Sequence, residues 1–149
     1  MSVSVGTPPS LEGTVTELSL AVGQLLRRLR AETNPDELTW SQTVALARLE
    51  AAGAMTTADL ARAEQVKPQS MGATLAELER EGLVERRPHP TDGRQVLFAL
   101  TGDGALARRR RSAAKQAWLL AAMSRLDPGE QQTLKAAAAL IARLAQSTP

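Results

Sequence analysis

Apolar residues recur along the chain at intervals of three and four, a spacing that places them on one face of a helix. The clearest stripe occupies residues 11–32, with apolar residues at positions 11, 15, 18, 22, 25, 26 and 29. Further helices are predicted at about 40–52, 57–63, 68–80, 102–126 and 128–145. Residues 1–10, which carry one glycine and two prolines, are predicted to form a flexible tail.

Residues that favour helix ends stand at the boundaries of these stripes. Thr39 and Gln42 have the spacing of a capping box, and Gly53 follows the second helix as a C-terminal cap. The other expected end signals are Thr56, Thr101 and Asp127 as N-terminal caps, with Pro68 and Pro128 as first helical residues.

Between the fourth and fifth helices the pattern changes to two short runs that are typical of strands. They occupy residues 83–87 and 94–100, and the two prolines and the Asp-Gly pair in 88–93 indicate a hairpin loop. In the second run Val96, Phe98 and Leu100 alternate with the other residues, as in a half-buried strand. The predicted fold is mainly α: a winged helix-turn-helix with a two-stranded wing, flanked by N- and C-terminal helices.

Composition narrows the functions that are open to this fold. The chain has no cysteine, which excludes disulfides, thiolate metal sites and cysteine redox switches. Its single histidine, His89, excludes a multi-histidine metal centre, so we expect no cofactor. Apolar runs are too short to span a bilayer and residues 1–10 lack a signal pattern, so we expect a cytoplasmic protein without a membrane partner.

Charge is distributed unevenly, although the formal net charge is only +2. Residues 105–125 carry six cations and no acid, whereas residues 56–100 carry six cations and seven acids. If the second region binds nucleic acid, its glutamates at positions 77, 79, 81 and 85 must lie off the DNA-facing side or limit non-specific affinity.

The fourth helix has two distinct faces. Met71, Leu75 and Leu78 lie in a narrow arc that would anchor it on a core. The opposite face, formed by residues 69, 73, 76 and 80, is small and polar, which suits close approach to base edges in a major groove. Taken alone, the pattern of this helix is also that of a helix whose outer face is simply exposed to solvent.

The hairpin carries the second candidate contact. Asp92 and Arg94 flank one glycine, and we expect the carboxylate to brace the guanidinium in a forked, charge-assisted pair. A braced arginine on a narrow finger fits the negative potential of a minor groove. The alternative is that the pair only stabilises the turn.

Five fragments in this order resemble the MarR-type (multiple antibiotic resistance regulator) family over roughly residues 12–146. They are Leu38-Thr-x-x-Gln42, Pro-Gln-Ser at 68–70, Leu78-Glu-x-x-Gly-Leu-Val84, Asp92-Gly-Arg94 and Leu100-Thr-x-x-Gly104. The resemblance implies a homodimeric winged-helix regulator, usually a repressor, that recognises an inverted repeat in double-stranded DNA. Many members of the family are released from DNA by small, often phenolic, ligands.

Carried onto this sequence, the resemblance makes residues 68–80 the major-groove helix and Arg94 the minor-groove arginine. The implied DNA-binding residues are Lys67, Pro68, Gln69, Ser70, Gly72, Ala73, Thr74, Arg86, His89, Asp92 and Arg94. Many members have an arginine at the position of Ala73, so a strong guanine contact is absent there. Lys67 stands where a capping Ser or Asp would be favourable, although a lysine can meet a phosphate.

The resemblance also divides the chain into regions. Residues 38–100 are expected to bind DNA, while 11–34 and 101–146 are expected to form a helical dimerisation region. The resemblance further implies a small aromatic effector as a partner, with Trp40 and Met55 lining its cleft, although Trp40 also suits a core position.

Two other classes of function stay open at this stage. One is a helical dimeric adaptor whose winged module binds protein, which the acids of residues 56–100 favour. The other is an enzyme that uses His89; this histidine lies between two prolines, and the chain has no nucleophile elbow or glycine-rich phosphate loop.

Overall fold

The computed structural model describes residues 10–148, and its helices follow the apolar stripes of the sequence. The helices are α1 (Leu11–Glu32), α2 (Trp40–Ala52), α3 (Thr57–Ala63), α4 (Pro68–Arg80), α5 (Gly102–Met123) and α6 (Pro128–Gln146). The strands are β1 (Met55–Thr56), β2 (Val84–Pro88) and β3 (Val96–Leu100). The prediction of a mainly α fold with a hairpin between the fourth and fifth helices is confirmed.

The predicted tail lies outside the described residues except for Ser10. The hydroxyl of Ser10 accepts a hydrogen bond from the Gly13 N–H at 3.1 Å and so caps α1. Ser10 is therefore part of the first helix boundary and not of the tail to which the sequence assigned it.

Helix ends are set largely by the predicted side chains. The Gln42 N–H donates to Thr39 Oγ1 at 3.2 Å, and the Thr39 N–H donates to Gln42 Oε1 at 2.9 Å, which completes the capping box. Helix α5 ends at Met123, earlier than predicted. The reason is that the N–H groups of Arg125 and Leu126 bind carbonyls three residues back, which tightens the chain into a turn.

The sheet has three antiparallel strands in the order β1-β3-β2, so one strand was missed by the sequence analysis. In β1, Met55 lies opposite Phe98, and a two-residue strand is too short to show alternation. The predicted alternation in β3 is wrong, since Phe98 and Ala99 are both buried while Val96 is exposed. The inner end of this central strand is enclosed by its neighbours, whereas its outer end projects as the wing.

The core belongs to the winged module. It is formed by Leu38, Ala45, Leu46, Leu49, Leu60, Ala61, Met71, Leu75, Leu78, Leu83, Val84, Phe98 and Ala107. Helix α1 adds one buried residue, Leu29, and α6 has none. The terminal helices therefore keep most of their apolar surface outside the core of a single chain.

Candidate nucleic-acid interface

Helix α4 is held on the core by the face that the sequence predicts. Met71, Leu75 and Leu78 are buried, with 4% of the Met71 surface exposed and none of the two leucines. The opposite face, formed by residues 69, 73, 76 and 80, is exposed. This face carries small or polar groups, so the helix backbone can approach a flat partner closely.

The start of α4 is open to solvent. Lys67 precedes the helix without making a side-chain cap, as its type suggests, and Pro68 is the first helical residue. Lys67, Pro68, Gln69 and Ser70 are all exposed. Free N–H groups of a first turn, the positive end of the helix dipole and a lysine ammonium together suit a phosphate oxygen.

The other candidate residues on α4 lie on its flanks or its outer face. Ala73 is exposed, while Gly72 and Thr74 are half-buried. The Thr74 hydroxyl donates to the Ser70 carbonyl at 3.1 Å, so it is engaged by the helix itself. The exposed members of the predicted set on this helix are therefore Pro68, Gln69, Ser70 and Ala73.

The wing tip is shaped by two side chains that bind backbone. His89 Nδ1 accepts hydrogen bonds from the N–H groups of Thr91 at 3.2 Å and Asp92 at 3.0 Å. Asp92 Oδ1 accepts from the Arg94 N–H at 3.0 Å, and Asp92 Oδ2 accepts from the Gln95 side-chain amide at 3.2 Å.

The predicted forked pair between Asp92 and Arg94 is wrong. Within residues 10–148 the Arg94 guanidinium forms no ion pair, and the side chain is exposed. With one glycine between them, the carboxylate lies closer to the backbone N–H than to the end of the arginine side chain. Asp92 thus fixes the turn and leaves the Arg94 cation facing solvent.

Arg86 faces the module instead of projecting freely from the wing. Its Nε lies 2.9 Å from Glu79 Oε2 on α4, and its guanidinium is 5.3 Å from the centre of the Phe98 ring. The side chain therefore joins the wing to α4. A contact between Arg86 and DNA stays a prediction.

The glutamates of α4 and the wing that carry the excess negative charge have partners inside the winged module. The Gln42 amide donates to Glu77 at 3.3 Å and to Glu81 at 3.5 Å, and Glu85 lies 2.9 Å from Arg87. Gln42 thus has a second role beside helix capping, which local spacing could not reveal because it depends on contacts 35 and 39 residues away.

A groove of about 490 Å³ lies between α3, the start of α4 and the wing. It is lined by Thr56, Thr57, Ala58, Asp59, Arg62, Gly72, Arg86, Gln95, Val96 and Phe98. Pairing of β1 with β3 brings the start of α3 beside the wing. Thr57, Arg62 and Gln95 carry groups that can bind phosphate, and local spacing did not single them out because α3 and the wing meet only in the fold.

Trp40 lines two separate cavities, whereas Met55 lines neither of them. One cavity, of about 240 Å³, lies against α4, and the other, of about 230 Å³, lies between α1, α2 and α5. The Arg30 guanidinium lies 3.5 Å from the centre of the Trp40 ring. Met55 is instead half-buried in β1, packed against the core opposite Phe98.

The terminal helices expose large apolar side chains in rows. They include Leu11, Val15, Leu18, Val22, Leu25 and Leu26 on α1 and Leu134, Leu140, Ile141 and Leu144 on α6. Such patches on a globular protein mark contact surfaces. In the described part of the chain, none of the helices is both long enough and apolar enough to cross a membrane.

Comparisons with known proteins agree with this geometry. A model of the MarR family matches residues 38–96. An HTH-type transcriptional regulator of Mycobacterium bovis is 40% identical over 134 residues, which cover 90% of this chain and 94% of the relative. An HTH-type transcriptional repressor of Mycobacterium tuberculosis is 32% identical over 115 residues, or 76% of this chain and 83% of the relative.

Among solved structures, a transcriptional regulator from Pseudomonas aeruginosa superposes with a TM-score of 0.83 at 33% identity. The alignment covers 94% of this chain and all of that one. The similarity therefore extends over the terminal helices as well as the winged module. These relatives and this fold are those of transcriptional regulators, which are not enzymes.

Proposed function

Because the chain belongs to the MarR family of transcriptional regulators, we propose that it is a homodimeric repressor that binds an inverted-repeat operator and is released by a small ligand. The observation that carries the proposal is the outer face of α4. This face is small, polar and exposed, and it lies on a helix whose other face is buried.

The two DNA contacts in this proposal have different roles. Gln69, Ser70 and Ala73 read base edges and phosphates in the major groove, with Lys67 on a phosphate at the helix start. Arg94 enters the neighbouring minor groove from the wing, and Asp92 and His89 hold the tip that presents it. Since Ala73 has no hydrogen-bonding group, Gln69 is the main side chain for direct base contact on α4.

Dimerisation is supported by the surface that one chain leaves uncovered. Helix α6 has no buried residue, and Leu144 and Leu140 are 59% and 55% exposed. Pairing of two chains through residues 11–34 and 101–146 would remove these side chains from water. A two-fold dimer places its reading helices about one DNA turn apart, roughly 34–36 Å, and so requires an inverted repeat.

Repression is supported by the relative named as a repressor, which is 32% identical to this chain. In the proposed mechanism the dimer exchanges between a form whose reading helices match the operator and a form in which they are too far apart. A ligand that prefers the second form lowers operator affinity by mass action. The cavities beside Trp40, one between α2 and α4 and the other between α1, α2 and α5, are the sites that we propose for this ligand.

The proposal is tested by selecting bound sequences from a pool of random DNA duplexes with the full-length protein. A two-fold symmetric consensus with half-sites about ten base pairs apart is expected. Binding should also weaken steeply as salt rises, because phosphate contacts release counterions. Retained duplexes without a shared sequence, or binding that does not change with salt, would contradict the proposal and favour a protein-binding adaptor.

A further inference from the structure

The cavity between α1, α2 and α5 has an apolar wall. It is lined on this side by Leu26, Leu29, Trp40, Val44 and Ala47. Its volume of about 230 Å³ exceeds the roughly 150 Å³ of an apolar cavity that takes a benzene molecule. The space therefore suits one aromatic ring or a short aliphatic chain.

The opposite wall of the same cavity is cationic. Arg30 lies on α1, and Arg108, Arg111 and Lys115 lie on α5. A second cavity of about 220 Å³ adjoins it and is lined by Glu50, Arg108, Arg109, Arg111, Ser112 and Lys115. The two cavities share three cations, and together we call them the basic cleft.

The cations of the basic cleft are poorly neutralised by the chain itself. Glu50, the one acid among residues 10–148 that lines the cleft, is half exposed and lies 3.5 Å from Arg108 Nε. That Nε is buried without a hydrogen-bond partner in the described part of the chain. Arg111 donates to the Asn34 side-chain oxygen at 3.2 Å, which is a neutral acceptor.

Like charges also crowd one another here. Burial, followed by the nearby charges of Arg108 and Arg30, lowers the pKa of the Arg111 guanidinium. An arginine stays protonated under ordinary conditions, so the crowding is relieved by an anion and not by loss of a proton. One negative charge would still leave most of the cleft cations without a counter-charge.

We propose that the basic cleft binds a small molecule that carries two negative charges on one end of an aromatic or short aliphatic body. The body lies against Trp40 and Leu29, and the anionic end lies on Arg108, Arg111 and Lys115. The inference deepens the proposed function, since it assigns the charge of the effector, and in this respect rests on it. A neutral phenol would fill the apolar wall but leave the cations unpaired.

The test uses Trp40 fluorescence in the full-length Trp118→Phe protein, where Trp40 is the sole tryptophan. The probes are phenol, benzoate, phthalate, phenyl phosphate and inorganic phosphate, titrated at pH 8 and constant ionic strength. Hydrogen bonds to charged groups contribute about 1.5–3 kcal/mol, so phthalate and phenyl phosphate should bind at least about tenfold more tightly than benzoate. Phenol and inorganic phosphate should bind more weakly still.

Matched variants locate the site. The Arg111→Gln/Lys115→Gln protein should lose about tenfold or more in phenyl phosphate affinity. The Arg125→Gln/Lys135→Gln protein removes the same charge outside the basic cleft and should stay within about twofold of the parent. Circular dichroism and sedimentation should be unchanged in both variants.

Two results would overturn the inference: equal affinity for benzoate and phenyl phosphate, or equal losses in the two double variants. Duplex binding by the same preparations, measured without any probe, separates this inference from the proposed function. A protein that binds duplex but does not prefer dianions retains the proposed function and excludes this effector class.

Discussion

The α-carbon of Gly104 lies directly against the backbone carbonyl of Leu83, with no side chain between them. A methyl group at position 104 would overlap that carbonyl oxygen and also meet the Leu100 side chain at 3.3 Å. The same carbonyl accepts the Thr101 N–H at 3.1 Å. This close approach seats α5 on the winged module, so it also sets the position of the proposed dimerisation region relative to the DNA-reading region.

We expect Gly104→Ala to destabilise the protein by about 1–3 kcal/mol, since an overpacked site forces the backbone to shift. Denaturant unfolding measures the effect. Gly102→Ala in the same first turn is the control, because a methyl group there meets open space. Similar losses in both variants would show that the approach to Leu83 is not the cause.

Duplex binding should tolerate asparagine at position 92 but not alanine. Asparagine keeps an oxygen that can accept the Arg94 N–H, whereas alanine leaves the turn without its acceptor. We therefore expect Asp92→Asn to retain or increase duplex affinity, since it also removes a negative charge near DNA, and Asp92→Ala to reduce it. Fluorescence anisotropy measures both. Equal losses would indicate that the carboxylate charge acts on the Arg94 guanidinium after all.

Arg94→Ala should weaken duplex binding by about 1–3 kcal/mol while leaving the unfolding midpoint unchanged, because the side chain is exposed. Arg125→Ala is the control, since it removes the same charge from an exposed position just after α5 and outside the basic cleft. Anisotropy titrations at two salt concentrations give the affinities and the salt dependence. If the two variants bind duplex equally, the wing has no part in recognition.

Leu18→Arg and Leu140→Arg should weaken dimerisation, because each places a charge in the apolar surface that the proposed dimer buries. Sedimentation velocity over a range of protein concentrations measures the dimer fraction. Val96→Arg adds the same charge at an exposed apolar residue of the wing and should leave sedimentation unchanged. A dimer that persists equally in all three variants would place the interface elsewhere.

The stabilisation of α6 by its N-terminal cap, Asp127, should be lost at low pH. The Glu130 N–H donates to Asp127 Oδ1 at 2.8 Å, and this hydrogen bond lowers the pKa of the Asp127 carboxyl. Because the folded-state pKa lies below the unfolded-state value, the stabilisation is present above the unfolded-state pKa and is lost as pH falls through the folded-state pKa, below about pH 4.

Asp127→Asn provides the comparison, since it keeps a capping oxygen but does not titrate. The wild-type advantage in unfolding midpoint over this variant should be largest near pH 6 and should shrink toward pH 3. A difference that does not change with pH would mean that the charge of Asp127 contributes nothing to α6.

The secondary structure of this protein follows largely from its local sequence. Apolar spacing and capping residues predicted the helix bounds to within three residues, since a helix is built from contacts three and four residues apart. The buried face of α4 followed from the same periodicity. The strand β1 did not, because a two-residue strand exists only through its pairing with β3.

The sequence by itself determined the helices, their caps, the wing and the family to which the chain belongs, because each depends on residues close together along the chain. Only the tertiary structure decided the partners of several polar side chains outside the helix caps. Asp92 accepts a hydrogen bond from the Arg94 backbone N–H, Arg86 pairs with Glu79, and the cations of α5 line a cleft together with Arg30. The first arrangement depends on the backbone shape of the wing turn and the other two on distances between separate elements, and spacing along one chain contains neither.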